Sequence, residues 1–297
     1  MLPARVARRR AVSGLDHIPP QGGGQTATIT RGMPELPEVE TIARGVDERI
    51  RGDRIEATWF SEKREPFKSS PQLMAAELPG RRIARVYRVG KHIVFDLEKS
   101  SLQWIVHLGM TGRLLVADPA TPVPPHTHGI LHLTSGKELR FVDPRRFGRM
   151  ALHERFTGTG KEPLLITPDE FAALFRHRRT PIKAALLNQK LLHGVGNIYA
   201  DEALFRAGIR PRRMARYLKR VELDRLLAAL KKVLLEAISL GGSSVSDYVD
   251  AAGVAGFFQL EHRVYMRTGL PCLVCKTPIR RILLGGRGTH YCPQCQR

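Results

Sequence analysis

The last 26 residues hold all four cysteines of the chain, spaced Cys272-x2-Cys275-x16-Cys292-x2-Cys295. A CxxC pair can set two thiolates on one metal ion. Two such pairs, brought together by a hairpin, complete a tetrahedron of soft ligands that suits one zinc ion, Zn2+. Four protein ligands leave no position open for a substrate, so the expected role of the metal is structural. Two disulfides or four inert thiols are the competing readings, and clustering in one short segment argues against a disulfide framework. Residues 262–297 also carry seven Lys or Arg and no Asp or Glu. A metal-stapled hairpin this basic suits phosphate, with Arg287 of Gly285-Gly286-Arg287-Gly288-Thr289 near the tip between the two pairs.

A second segment with chemical potential is Gly194-Val195-Gly196-Asn197. Its glycines permit left-handed dihedrals and close backbone approach. Asn197 is expected to cap a helix beginning at Ile198. A helix start offers free N–H groups and a positive dipole end to a phosphate. An ordinary glycine turn between helices is the other reading.

The elements that must position these residues follow from periodicity. Val39, Ile42, Val46 and Ile50 recur at helical spacing, which predicts a helix over 37–51 with Pro37 in its first turn. Strand patterns then dominate. Residues 83–89 and 92–97 flank a Gly90-Lys91 turn and read as a hairpin; 102–108, 113–116, 130–134 and 138–142 continue the series. Such spacing suggests an antiparallel sandwich. Thr157-Gly158-Thr159-Gly160 reads as a linker. Helical periods follow over 168–175, 181–189, 198–207 and 221–240, with Gly208 and Gly241 at the expected C-caps.

The 297 residues contain 48 Lys and Arg against 28 Asp and Glu, a net +20, and 42% are hydrophobic. That apolar content supports a packed core and excludes a wholly disordered chain. The charge favours a polyanionic partner, most simply nucleic acid. No apolar run approaches bilayer length, which excludes a membrane-spanning helix. Residues 1–32 differ from the rest, with five Arg, one acid and no apolar periodicity. They contribute +4 of the +20, so the body keeps +16. They lack the apolar core of a secretory signal; a transit peptide and a start-site error with translation beginning at Met33 are two readings of them.

Three segments then converge in order: Met33-Pro34-Glu35-Leu36-Pro37-Glu38-Val39-Glu40-Thr41, Gly194-Val195-Gly196-Asn197-Ile198-Tyr199-Ala200, and the four-cysteine finger. With His107-Leu108-Gly109-Met110 and Asp143-Pro144-Arg145-Arg146-Phe147-Gly148, they closely resemble the bacterial formamidopyrimidine-DNA glycosylase (8-oxoguanine DNA glycosylase/AP lyase) family. The resemblance covers 33–297 and none of 1–32. The related endonuclease VIII branch typically has Gly where this chain has Leu36, which favours the purine-lesion branch. The implied fold is α+β: an N-terminal antiparallel β-sandwich with flanking helices, then a helical helix-two-turn-helix domain and a four-Cys zinc-finger hairpin. The expected parts are an extension 1–33 absent from the mature enzyme, a catalytic domain 34–155, a DNA-binding domain 164–261 and a finger 262–297. The implied protein is a cytoplasmic, nucleoid-associated monomer, not secreted, acting on duplex DNA that contains oxidised bases.

The resemblance also implies roles. The family's nucleophile is an N-terminal proline, here Pro34 once the preceding residues are gone. An α-amine titrates near 8 against about 10.4 for Lys, so roughly a tenth of it is neutral at pH 7. Retained residues 1–32 would tie the Pro34 nitrogen into a tertiary amide and leave a non-catalytic DNA-binding protein. Glu35 matches the partner acid/base. Glu38 has two readings, a contact to the lesion pocket or a helix cap. Lys91, Asn197 and Arg287 match phosphate contacts around a flipped nucleotide, and Tyr265 and Arg281 add backbone contacts. Met110, Arg145 and Phe147 match the wedge that fills the emptied stack. The lesion-reading loop is expected across residues 243–258, with no specificity legible in its residues. A pyrimidine-preferring enzyme of the same fold is the remaining alternative.

Overall fold

The computed structural model describes residues 33–63, 65–244 and 249–297. The extension 1–32 and residues 245–248 of the expected lesion loop lie outside the described residues.

Helix α1 (Leu36–Ile50) starts one residue before the periodicity placed it, with Pro37 in its first turn. It buries Val39, Ile42, Ala43, Val46 and Ile50 at 1% exposure or less, the stripe read from the sequence. That stripe packs on two antiparallel four-stranded sheets. One has the order β2 (Ile83–Val89), β3 (His92–Leu97), β4 (Gln103–His107), β8 (Arg149–His153). The other has the order β1 (Ile55–Phe60), β6 (Thr127–Leu133), β7 (Glu138–Val142), β5 (Arg113–Ala117). Between them lie Phe95, Trp104, Leu131, Phe141 and Met150, all buried. The predicted hairpin is β2–β3, paired from Ile83–Leu97 to Val89–His92. Strands β1 and β8 and the short helix α2 (Pro71–Glu77) are additions to the sequence reading.

The second core belongs to helices α3 (Pro168–Phe175), α4 (Ile182–Leu186), α5 (Asn197–Arg206) and α6 (Arg220–Ser239). Gly208 and Gly241 have φ of +68° and +73°, the left-handed caps expected there. Leu36, the first residue of α1, is fully buried in this helical core, not in the sandwich core. The start of α1 therefore stands where the two layers meet. A third, small core of Phe205, Val264, Cys272, Ile279 and Cys292 supports the hairpin β9 (Arg280–Leu284) and β10 (Arg287–Tyr291).

Candidate active site

The start of α1 is docked on the glycine turn. Leu36 N–H donates to the Gly194 carbonyl at 3.0 Å, and its side chain packs on Gly194, whose φ is +89°. A Cβ on Gly196 would sit 2.0 Å from the Glu35 carboxyl carbon, so only glycine lets the acid approach. Gly196, not Asn197, is the N-cap of α5. The expected Asn197 cap is thus corrected: Glu35 occupies the space a capping side chain would need. The Ile198 N–H points at the Glu35 carboxylate, 3.4 Å from Oε1.

Glu35 and Glu38 are both buried, at 4% and 2% exposure. Glu38 is the better served. Its Oε2 accepts the Glu35 N–H at 2.8 Å, and its Oε1 accepts the Ser243 N–H at 2.8 Å and the Tyr199 hydroxyl. Among the described residues Glu35 Oε2 has no hydrogen-bond partner. Burial pushes the Glu35 carboxyl up to about 7; Lys91 opposes the rise and Glu38 adds to it. Burial pushes Glu38 up as well, while Tyr199 and Ser243 pull it back. Lys91, in the β2–β3 turn, is driven down by burial and held up by the two glutamates, with Arg287 close enough to lower it further. Pro34 is buried beside Glu35. The fold thus brings Pro34, Glu35, Lys91 and Arg287 to one place from three elements. An acid whose proton leaves near neutrality, beside the residue that would become the amine terminus, is equipped for proton transfer.

Arg287 is exposed, but the backbone after it is clamped. The Lys183 Nζ donates to the Gly288 carbonyl at 3.1 Å and to Thr289 Oγ1 at 2.8 Å, and pairs with Asp201 at 2.7 Å. Asp201 also accepts the His290 N–H at 2.8 Å. Asn197 Nδ2 donates to the Gly288 carbonyl at 3.0 Å, so its amide here holds the arginine-bearing strand. Glu202 accepts the backbone N–H groups of Arg263, Val264 and Tyr265 at 2.9–3.0 Å. Tyr265 is buried, and burial pushes its phenol up to about 12; Arg281 is exposed on β9.

The four cysteine Sγ atoms lie within 4.8 Å of one another. Two of the separations are 3.9 Å (Cys272–Cys295) and 3.4 Å (Cys275–Cys292). A tetrahedral zinc with bonds of about 2.3 Å needs edges of about 3.8 Å, so the donor set and its spacing both fit that ion.

The Gly109 backbone, next to Met110, packs on the loop after β7. A Cβ on Gly109 would lie 2.4 Å from the Phe147 backbone. Buried Asp143 organises that loop: it accepts from Thr111 Oγ1 at 2.6 Å, Gly148 N–H at 2.7 Å and Arg145 N–H at 3.3 Å. The result is an exposed Arg145 stacked 4.7 Å over a half-exposed Phe147 ring, with Met110 half-buried. A large ring left 47% exposed beside an arginine has surface to offer a partner.

Family models match this chain in three consecutive pieces. The formamidopyrimidine-DNA glycosylase N-terminal domain covers 33–150, the H2TH domain of the same name covers 159–249, and a zinc finger found in FPG and IleRS covers 269–297. The chain belongs to the formamidopyrimidine-DNA glycosylase family. It is therefore an enzyme of DNA repair, a DNA glycosylase of the kind that has AP lyase activity. The Solibacter usitatus formamidopyrimidine-DNA glycosylase is 48% identical over 269 residues, 89% of this chain and all of that protein. The solved Thermus thermophilus FPG protein is 42% identical with a TM-score of 0.79, covering 89% of this chain and 98% of that one. A mutant Lactococcus lactis FPG, solved with DNA containing Fapy-dG, is 32% identical with a TM-score of 0.82, covering 89% and 100%.

The formamidopyrimidine-DNA glycosylase architecture makes sense of residues the motifs alone did not single out. Tyr199 and Ser243 meet Glu38, Lys183 and Asp201 hold the finger, and Asp143 shapes the wedge loop. Tyr199 stood in the quoted motif, but helical period made it one more apolar-face residue. For Lys183 and Asp201 the one available signal was an acid and a lysine inside otherwise apolar helical stripes. No helix among the described residues is long and apolar enough to cross a membrane.

Proposed function

We propose that the protein excises oxidised purines, 8-oxoguanine and formamidopyrimidines, from duplex DNA and then cuts the strand, using Pro34 as an N-terminal nucleophile. The observation that carries this reading is the buried Glu35, its proton held to about pH 7, directly after Pro34 and facing Lys91. The Pro34 nitrogen attacks C1′ and the bond to the damaged base breaks. Glu35 gives its proton to the sugar ring oxygen as the ring opens, and the nitrogen–carbon bond becomes a cationic iminium. That cation acidifies C2′. Loss of the C2′ proton expels the 3′ phosphate, and a second elimination expels the 5′ phosphate. The Fapy-dG complex of a relative supports a purine lesion as substrate.

The chemistry requires a free Pro34 amine, so the active protein begins at Pro34. The family model beginning at residue 33 and the full coverage of the Solibacter relative by 89% of this chain support that start. In this reading the working parts are 34–155, 164–261 and 262–297. Met110, Arg145 and Phe147 fill the stack, and Lys91, Asn197, Tyr265, Arg281 and Arg287 hold the DNA backbone. Cys272, Cys275, Cys292 and Cys295 would hold one zinc, which when bound closes the finger and contributes no reacting group. The enzyme works as a cytoplasmic monomer.

The test is borohydride trapping on a duplex with 8-oxoguanine opposite cytosine, using protein started at Met33, with peptide mapping of the adduct. An adduct on Pro34 is expected. No adduct with lesion binding intact would overturn the catalytic reading, and trapping on oxidised pyrimidines alone would overturn the substrate.

A further inference from the structure

Two carboxylic acids three residues apart are buried in one pocket, and they are served by different kinds of donor. Glu38 receives a phenol from α5, a backbone N–H from the segment after α6, and the Glu35 N–H. Glu35 receives backbone N–H groups at the start of α5, from Asn197 and from Ile198 at a long 3.4 Å, but no side-chain donor, and its Oε2 has no partner among the described residues. Hydrogen bonds to a carboxylate favour its charged form, and two adjacent carboxylates resist ionising together. The pair is therefore biased: charge on Glu38, proton on Glu35.

We propose that Tyr199 is a positioning residue for this pair, holding Glu38 as the charged member so that the proton stays on Glu35. Tyr199 is fully buried and touches no reacting atom in this arrangement; it acts through Glu38. Its ring is fixed against Phe258 at 5.5 Å, and Phe258 N–H bonds the Gly242 carbonyl at 2.9 Å. Ser243 is held in turn by His262, 3.3 Å from its hydroxyl. The two donors on Glu38 Oε1 thus come from α5 and from the segment that leads into residues 245–258. Losing the phenol removes one donor, lets Glu38 take a proton, and withdraws the like charge that keeps Glu35 protonated.

The charged and titratable groups that face the pair are Lys91 from the β2–β3 turn, Lys183 from α4, Arg287 behind Lys91 from the finger, and the buried Tyr265 phenol. Lys91 lowers Glu35 and is itself held up by both glutamates, so it sets the level about which the pair titrates.

The inference rests on the acid role of Glu35 proposed above, and the experiment separates the two. Protein started at Met33 is compared with its Tyr199→Phe and Glu38→Gln variants. Carbon-detected NMR follows the Glu35 carboxyl titration, which needs no activity. Single-turnover base release from 8-oxoguanine duplex and trapping on a preformed abasic site are run from pH 5.5 to 9. The expected result is a Glu35 titration, and with it the alkaline limb of base release, moved to lower pH in both variants by about half a unit to one unit. Base release at pH 8 falls about three- to tenfold, and the alkaline limb of abasic-site trapping moves with it, because the same proton opens the sugar ring. An unmoved Glu35 titration in both variants overturns the inference, whatever the activity does. So does an equal loss of both reactions with a wild-type pH profile, since a merely loosened fold would produce that. Wild-type protein that titrates as described but releases no base would sink the proposed function and leave the pair's bias standing.

Discussion

Two clusters of buried charge flank α5, and they are built on opposite plans. At the finger, Lys183 and Asp201 are both 1% exposed or less, and their polar atoms meet each other, Gly288, Thr289 and His290. At the start of α1, two acids share a pocket in which Lys91 is the main opposing charge on Glu35, and one Glu35 oxygen goes without a partner among the described residues. A paired cluster holds two pieces of chain in one register; an underpaired one stores a proton near neutral pH. The difference separates a buried charge kept for docking from one kept for chemistry.

Removing the metal should break the docking side most completely. Chelation is expected to unfold residues 262–297, because a structural zinc supplies about 10 kcal/mol or more to such a finger. Affinity for lesion duplex should collapse while the sandwich keeps its own cooperative melt. Binding unchanged after verified zinc loss would end the comparison, since the Lys183–Asp201 cluster would then have nothing to hold.

Glu35→Gln sharpens it from the other side. Base release should fall by about 10²–10⁴. Stability should move the opposite way. A carboxyl raised in the folded state contributes fully below its unfolded pKa of about 4.5, and that contribution is lost as pH rises through about 7. The variant lacks this loss, so denaturant melts should show it gaining on wild type between pH 5 and 8, by up to about 3 kcal/mol. A variant that loses ground with rising pH would mean Glu35 is a paired charge after all.

Asp201→Ala should do the reverse. It strands Lys183 in the interior, and breaking a buried pair costs about 3–5 kcal/mol. Urea melts should show that loss at pH 7, with abasic-site cleavage recovering in part at saturating DNA. The smallest effect is expected from Arg287→Ala, whose side chain is exposed. It should weaken binding to every sequence alike and reduce the slope of log affinity against log salt by about one.

Much of the positioning frame was legible beforehand for reasons that are local. Helix α1, the β2–β3 hairpin, α3 and α6 fall within a residue or two of their expected limits, because each carries an apolar pattern of the right period along its length. Strands β1 and β8 escaped notice. Strand β1 exposes Trp59 and buries only Ile55 fully, and β8 follows directly on an exposed loop, so neither alternates cleanly. Asn197 was misassigned as a cap because the sequence shows a good capping residue but not the distant Glu35 carboxylate that fills the cap's place.

By itself the sequence determined the cysteine spacing that makes a four-thiolate site, the periodicities of the sandwich and helical layers, and the motifs that mark the family. Those properties depend on neighbours a few residues apart. Tertiary structure alone decided how differently Glu35 and Glu38 are hydrogen-bonded, why Gly196 must be glycine, and how Lys183 and Asp201 hold the strand that begins with Arg287. Each of these turns on desolvation and on donors brought in from α5, the segment after α6 and the finger. Only the closed fold removes the water and brings those donors within hydrogen-bond range.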